Sequence, residues 1–420
     1  MNRLAWCAVF LLSCAREPTT PSAPAAPNAP SITDPMPKEM RAALRRVEGI
    51  RELKATKPIF GKYISRPDLL AMLRKHAADE LPPEALVHEE LVLKLLGAIP
   101  TEYAFVESQF QTLGAEIAGL YVPIDKTMYL LSDLDPQEAE ATLLHELVHA
   151  LQDQHFDLRN RIHYKKGSGD ALSAASALGE GDATYVMLSA VGAPPTPALL
   201  RLAITERMKS KSSIPEYIGN SLSSSYIYGY EFAYTLARDG GMGMLNHAWE
   251  RPPTTSEQIL HTAKWRLNEP ALPIAAPAMD HKVDDDSLGE LGLRLYLELG
   301  GSKHDAAIAA AGWGGDRGAL SVFGETVQFA WHYRADSDAQ GSPALVLGEL
   351  ASVFRRDGTI DNTNGVVCVN RAKGGPLAAV QRGLDVWLVA GPTSSRTWQS
   401  QATCADARTA LAKLISATAP

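Results

Sequence analysis

The 420-residue chain has no excess of basic residues and very little cysteine. It carries 40 Lys and Arg against 48 Asp and Glu, a net charge of −8, so it lacks the positive potential that nucleic-acid binding requires. Only four residues are cysteine. Cys368 and Cys404, the two beyond the N-terminal segment, lack the surrounding ligand cluster that a second metal site would need.

The N-terminal segment contains an apolar run, Leu4 to Leu12, that is too short to span a bilayer and follows one positive charge at Arg3. Leu11-Leu12-Ser13-Cys14 resembles the lipobox of bacterial lipoproteins. The resemblance implies a signal peptide at 1–13, a lipidated Cys14 and, from Ala15, sorting to the outer membrane of a bacterial cell envelope. The alternative is an ordinary secretory signal with an incidental cysteine, and both interpretations export the protein.

Export has two consequences for the rest of the chain. Residues 14–37 are rich in Pro and Ala, cannot bury a core, and are predicted to form a tether between the lipid anchor and the folded domain. In an oxidising compartment, Cys368 and Cys404 are predicted to form a disulfide. Closing this loop is expected to stabilise the fold by roughly 3 to 4 kcal/mol.

The chain's most specific chemical signal is His145-Glu146-Leu147-Val148-His149. On a helix, residues i and i+4 share a face, so His145 and His149 can direct imidazole nitrogens at one metal ion, with Glu146 about 100° around the axis. Catalytic zinc needs three protein ligands and an open position for water. The spacing therefore predicts a zinc site whose third ligand lies elsewhere in the chain.

Two residues are candidates for the third ligand. His155 has the spacing of the last histidine in the metzincin pattern, but Gln152 stands where that pattern needs a glycine to turn the chain. An unbroken helix would carry His155 roughly 9 Å along the axis past His149. Glu180 is the other candidate, and the glycines on both sides of it, at 179 and 181, indicate close approach of a neighbouring helix or cofactor.

A His-Glu-x-x-His helix followed about thirty residues later by a helical Glu resembles the gluzincin clan of metallopeptidases. The resemblance implies one Zn²⁺ per chain held by His145, His149 and Glu180, with Glu146 as general base and a peptide or protein as substrate. Together with the stretch from Arg251 to His261, the motif also resembles a group of bacterial and archaeal surface proteins predicted to be metallopeptidases, over roughly residues 100–265.

Three further features are candidate parts of such a site. Gly119 to Leu131 indicates a short hairpin, and by the resemblance its second strand, Thr127 to Leu131, is the edge strand that pairs with substrate; a plain structural hairpin is the alternative. Tyr228 is a candidate donor to the oxyanion, although tyrosines at a helix start more often pack. His261 is placed either in the cleft or in a capping and packing role.

The pattern of elements predicts an α+β protein. A mostly helical zincin-like catalytic domain with a short edge hairpin spans 38–283, and a smaller α+β accessory domain with an antiparallel sheet spans 284–420. Within the latter, the glycine-rich stretch from Gly312 to Arg317 is predicted to be a turn, since it lacks the lysine and spacing of a phosphate loop.

The sequence supports two functions. One is an exported, lipid-anchored zinc metallopeptidase in which Glu146 activates a water molecule. The other is a surface-anchored binding or structural protein that keeps a non-catalytic zinc site, in which Asp153, Asp182 or His155 could close the fourth coordination position.

Overall fold

The computed structural model describes residues 36–209, 214–337 and 343–418. The predicted signal peptide at 1–13, Cys14 and nearly all of the predicted tether at 14–37 lie outside the described residues. The described chain is α+β, as predicted: it is mostly helical, with a seven-stranded antiparallel sheet in its C-terminal part. No helix within those ranges is long and apolar enough to cross a membrane.

Helices dominate the chain before residue 270, and prolines mark several of their starts. Pro67, Pro83 and Pro136 each lie in the first turn of a helix, where the N–H that proline lacks has no partner in any case. The long helix Glu216–Glu250 leaves helical geometry at Gly240 and Gly241. The helices are α1 (Lys38–Arg51), α2 (Arg66–Glu80), α3 (Pro83–Leu95), α4 (Phe105–Glu116), α5 (Pro136–Phe156), α6 (Leu158–Ile162), α7 (Gly169–Val191), α8 (Pro197–Lys209), α9 (Glu216–Glu250), α10 (Ser256–Leu260) and α11 (Thr262–Leu267).

A small sheet packs beside α5, with three strands in the described residues: β1 (Phe60–Ile64), β2 (Gly119–Val122) and β3 (Thr127–Leu131), in the order β1-β3-β2. β2 and β3 form the predicted hairpin. The prediction that Thr127–Leu131 is an edge strand is wrong, because β1 pairs with its other side in parallel register. The hairpin's edge strand is β2.

Helices α7 and α9 cross with their backbones in direct contact. A Cβ atom on Gly181 would lie 2.0 Å from the Gly229 carbonyl oxygen, and one on Gly229 would lie 2.0 Å from the Ala177 carbonyl oxygen. Close approach of a helix beside Glu180 is what the flanking glycines indicated. Of the two glycines that flank Glu180, only Gly181 is required at the crossing, since a Cβ on Gly179 would meet no atom closer than 3.7 Å.

The C-terminal part is an antiparallel sheet covered by helices. The elements are β4 (Lys282–Asp286), α12 (Gly289–Leu297), α13 (Lys303–Ala310), β5 (Trp313–Phe323), β6 (Thr326–Ala335), α14 (Pro343–Phe354), β7 (Asp361–Thr363), β8 (Val366–Val369), β9 (Leu377–Arg382), β10 (Asp385–Ser394) and α15 (Cys404–Thr418), with a 3₁₀ helix at Glu298–Gly300. The strand order of the sheet is β4-β5-β6-β10-β9-β8-β7. Cys368 on β8 and Cys404 at the start of α15 form the predicted disulfide, which ties this helix to the sheet.

The stretch from Gly312 to Arg317 is not the turn that the sequence predicted. Strand β5 begins at Trp313, and a bulge lies between Trp313 and Gly315. The backbone of Leu272 runs over these glycines: its N–H donates to the Gly314 carbonyl at 2.7 Å, and a Cβ on Gly315 would lie 2.4 Å from its carbonyl oxygen. The glycines therefore make room for a crossing backbone segment.

One hydrophobic core runs through both parts of the chain. Trp249 and Trp265 from the helical part share a cluster of buried side chains with Trp313 and Trp331 from the sheet. The Tyr296 hydroxyl also donates to the carbonyl of Leu96, at the end of α3, at 2.9 Å. The division at 283/284 stays a prediction, and any boundary there would pass through shared core.

Candidate metal centre

Helix α5 carries the His-Glu-Leu-Val-His motif and is unbroken past it. Asp135 caps its start by accepting the N–H groups of Gln137 and Glu138 at 2.9 and 3.0 Å. Its end is marked by Asp157, whose φ of 56° is left-handed. The stretch from Thr142 to Asp153 is buried throughout, so the motif lies inside the protein.

The structure brings His145, His149 and Glu180 together. His145 Nε2 lies 3.0 Å from Glu180 Oε2 and 3.1 Å from His149 Nε2, and His149 Nε2 lies 3.6 Å from Glu180 Oε1. One ligand atom from each residue lies within 4.8 Å of the others, an arrangement that could hold a metal ion. Ligands 2.0 to 2.2 Å from a tetrahedral zinc ion are about 3.4 Å apart, close to these separations.

Two observations show that the group fits a cation. Oε1 of Glu180 is buried and accepts no hydrogen bond from any described residue. The two Nε2 atoms of the histidines face each other at 3.1 Å. Either one of them carries a proton and donates it to the other, or both direct their lone pairs at a cation between them. A metal ion would satisfy all three residues at once.

The group is strongly coupled electrostatically. Burial disfavours the charged form of His149 and by itself lowers its pKa, but the adjacent Glu180 carboxylate outweighs burial and raises the pKa to about 9. Burial would raise the pKa of Glu180, but the charge of the adjacent His149 and the hydrogen bond with His145 hold it below its usual value. Metal binding must therefore displace a proton from this group.

Glu146 is held by the edge strand beside the motif. Its Oε2 accepts the backbone N–H of Tyr121 at 2.8 Å. Hydrogen-bonded and non-bonded pairs alternate along antiparallel strands, and Leu131 donates to Ala118, so the N–H of Tyr121 points away from β3. Nothing in the sequence indicated Tyr121, because a backbone donor carries no side-chain signature.

The three residues that the sequence offered for the fourth coordination position all have other partners. His155 is exposed, and its Nε2 lies 2.7 Å from the Lys54 carbonyl oxygen. Asp153 accepts hydrogen bonds from the Tyr121 hydroxyl and from a lysine amine, at 2.9 and 2.6 Å. Asp182 is buried in an ion pair with Arg51. The ligand group contains Glu180 and not His155.

Tyr228 does not lie with this group. Its ring packs between the guanidinium groups of Arg201 and Arg294, at 5.0 and 4.9 Å from its centroid. Residues two positions apart on a helix, such as 226 and 228, point about 200° away from each other. The tyrosine that α9 places beside the motif is Tyr226, whose ring centroid is 6.2 Å from that of His145.

A second acidic group and His261 belong to a separate polar network. Glu257, Glu269 and Asp336 are close enough to share a cation, and the ammonium of Lys264 already fills that role at 2.5 to 2.7 Å from each. His261 pairs with the buried carboxylate of Glu290 at 2.8 Å. His261 therefore lies in this network and not in the ligand group, and its side chain makes no helix-capping hydrogen bond.

Comparisons with known proteins add little to this site. No protein-family model matches the chain, and no curated protein matches its sequence. A crystal structure of a candidate hydrolase with a novel fold from Chloroflexus aurantiacus is similar, at 16% identity and a TM-score of 0.37, over 56% of this chain and 89% of that one. A TM-score this low carries no argument, so the function must be argued from the site.

Proposed function

We propose that this protein is a zinc-dependent hydrolase of gluzincin type that cleaves peptide bonds. The observation that carries the proposal is the convergence of His145, His149 and Glu180 from two helices, with Glu146 next to the first ligand on the same helix turn. His145, His149 and Glu180 would hold the ion. Peptide as the substrate class rests on the resemblance of this motif to gluzincins.

The chain's own residues have defined roles in this chemistry. Bound zinc would polarise a substrate carbonyl and lower the pKa of water. Glu146 would take the proton from the attacking water, and the Tyr121 N–H holds its carboxylate at 2.8 Å. Tyr226 replaces Tyr228 as the candidate donor to the oxyanion, because its ring lies beside His145.

A second candidate function, a zinc site that only stabilises the fold, is favoured by one observation. His145, Glu146, His149 and Glu180 are only 2%, 5%, 4% and 0% exposed, which suits a closed structural site. Against it, Asp153, Asp182 and His155 are all engaged with other partners, so none of them is placed to supply a fourth ligand. Turnover of a peptide substrate distinguishes a peptidase from a zinc site that only stabilises the fold.

We also propose that the protein is exported and anchored to the outer membrane of a bacterial cell through a lipid on Cys14, as the lipobox-like sequence suggests. Metabolic labelling with a radioactive fatty acid tests this in cells that express the full chain. Label on the wild type and none on Cys14→Ser supports the anchor. Equal label on both, or no label on either, contradicts it.

The enzymatic proposal is tested with zinc-loaded protein on a quenched peptide library. Glu146→Gln is expected to lower turnover by about 10²- to 10⁴-fold with zinc content unchanged, because it removes the base but no ligand. Glu140→Gln is the matched control, since it makes the same change at an exposed position of α5. Equal turnover of wild type and Glu146→Gln would refute Glu146 as the base, and zinc bound without turnover of any peptide would refute a peptidase.

A further inference from the structure

Gln152 occupies a fully buried position between the two helices that supply the ligands. Its side chain is 0% exposed. Its Oε1 lies 2.8 Å from Nδ1 of His149, one turn earlier on α5. Its Nε2 donates to the carbonyl oxygen of Gly179 on α7 at 3.0 Å. One amide therefore contacts a ligand on one helix and the residue before the third ligand on the other.

The orientation of this amide follows from its partners. A carbonyl oxygen can only accept, so the NH₂ group of Gln152 must face Gly179 and its oxygen must face His149. The opposite orientation would place two oxygens against each other. The bond to Oε1 then requires the proton of the His149 ring to be on Nδ1.

That proton position leaves the other ring nitrogen available. Nε2 of His149 lies 3.1 Å from His145 Nε2 and 3.6 Å from Glu180 Oε1, so with the Nδ1 proton fixed it is the nitrogen whose lone pair can go to a metal ion that displaces its proton. Ligating histidines in metal sites commonly donate their second N–H to a fixed acceptor, which sets the tautomer and the ring orientation. Here the acceptor is a neutral amide.

We propose that Gln152 is a positioning residue of the metal centre: it fixes His149 as the Nδ1–H tautomer and ties that ligand to the backbone that carries Glu180. The inference rests on the metal site of the proposed function. Gln152 touches neither substrate nor the metal position, so its effect is on metal affinity. Loss of such an acceptor typically lowers metal affinity by about 10- to 100-fold.

Zinc affinity is measured by competition with a chromogenic chelator for wild type and three variants. Gln152→Met keeps the size of the side chain and removes both hydrogen bonds, so its zinc affinity is expected to fall by about 10- to 100-fold. Gln152→Glu keeps an oxygen for the Nδ1–H but loses the donor to Gly179, so its zinc affinity is expected to lie between those of wild type and Gln152→Met. Gln154→Met is the matched control, because Gln154 is on the same helix and, within the described residues, its side chain bonds only to residues 56 and 57.

The outcomes separate this inference from the metal site itself. Stoichiometric zinc in the wild type with unchanged affinity in Gln152→Met overturns the role of Gln152 alone. An equal loss in Gln152→Met and Gln154→Met also overturns it, since a general effect on α5 would then explain both. No zinc in the wild type instead overturns the proposed metal site.

A spectroscopic readout covers the case in which Gln152→Met does not fold. In zinc-loaded wild type, nitrogen NMR shifts of the histidine rings identify the metal-bound nitrogen. His149 is expected to bind through Nε2, with an Nδ1 proton protected from exchange by the buried Gln152 oxygen. Zinc on Nδ1, or an unprotected proton, contradicts the inference.

Discussion

The crossing of α7 and α9 makes Gly229→Ala a sharp test of how the centre is assembled. The new Cβ would lie 2.0 Å from the Ala177 carbonyl oxygen and 2.8 Å from its carbon. Both atoms are backbone, so no side-chain rotation relieves the contact, and the helices must separate by more than about 1 Å to reach ordinary contact distance. Overpacking of this kind costs up to about 3 kcal/mol, and alanine returns about 1 kcal/mol of helix propensity. We expect a net loss of about 2 kcal/mol of unfolding free energy.

The same change should weaken metal binding. Ala177 lies one turn before Glu180 on α7, so a displaced α7 moves the third ligand away from the two histidines of α5. Metal–ligand distances tolerate only about 0.2 Å. Zinc affinity of Gly229→Ala should therefore fall together with stability.

Urea unfolding and chelator competition measure the two effects. Gly243→Ala is the matched control: Gly243 is on the same helix, exposed, and a Cβ there would meet no atom within 4 Å. The control is expected to be neutral or up to about 1 kcal/mol more stable. If Gly229→Ala matched the control in stability and zinc affinity, the crossing would not hold the centre as we infer.

Three further predictions concern other contacts. Replacing Cys368 and Cys404 by alanine should cost about 4 kcal/mol in urea unfolding, as expected for a separation of 36 residues, and a loss below about 1 kcal/mol would contradict it. Tyr121→Phe removes the 2.9 Å bond to Asp153 and leaves the backbone donor to Glu146 in place. The variant should lose about 1 to 2 kcal/mol of unfolding free energy but keep its zinc, and zinc loss would refute this. Burial raises the pKa of Asp170 to about 7, so the folded state holds a proton that the unfolded state releases near pH 4. The unfolding free energy of wild type should therefore fall from pH 4 to pH 7 relative to that of Asp170→Asn. Urea midpoints of the two proteins that run parallel over this pH range would contradict the shift.

The parts of the site that local geometry determines could be predicted from the sequence. His145 and His149 share a helix face at any i, i+4 spacing, and the absence of a breaker after His149 predicted that α5 would carry His155 away. Glu180 was implied as the third ligand by the resemblance to gluzincins, and its flanking glycines indicated the close approach of a neighbouring helix. The fold class followed from the succession of helices and strands.

The parts that tertiary packing determines could not be predicted. Three tyrosines follow one another along the start of α9, and the crossing at Gly229 decides which of them faces His145; the result is Tyr226 and not Tyr228. β3 became a central strand because β1, more than sixty residues earlier, pairs with it. Gly314 and Gly315 lie in a strand because a distant backbone segment crosses them.

The most direct test of the central claim is anomalous scattering at the zinc edge from a crystal of the purified protein. A single strong peak is expected about 2.0 to 2.2 Å from Nε2 of His145, Nε2 of His149 and the Glu180 carboxylate. No peak there in zinc-equilibrated protein, or a peak that includes His155 in place of Glu180, would contradict it.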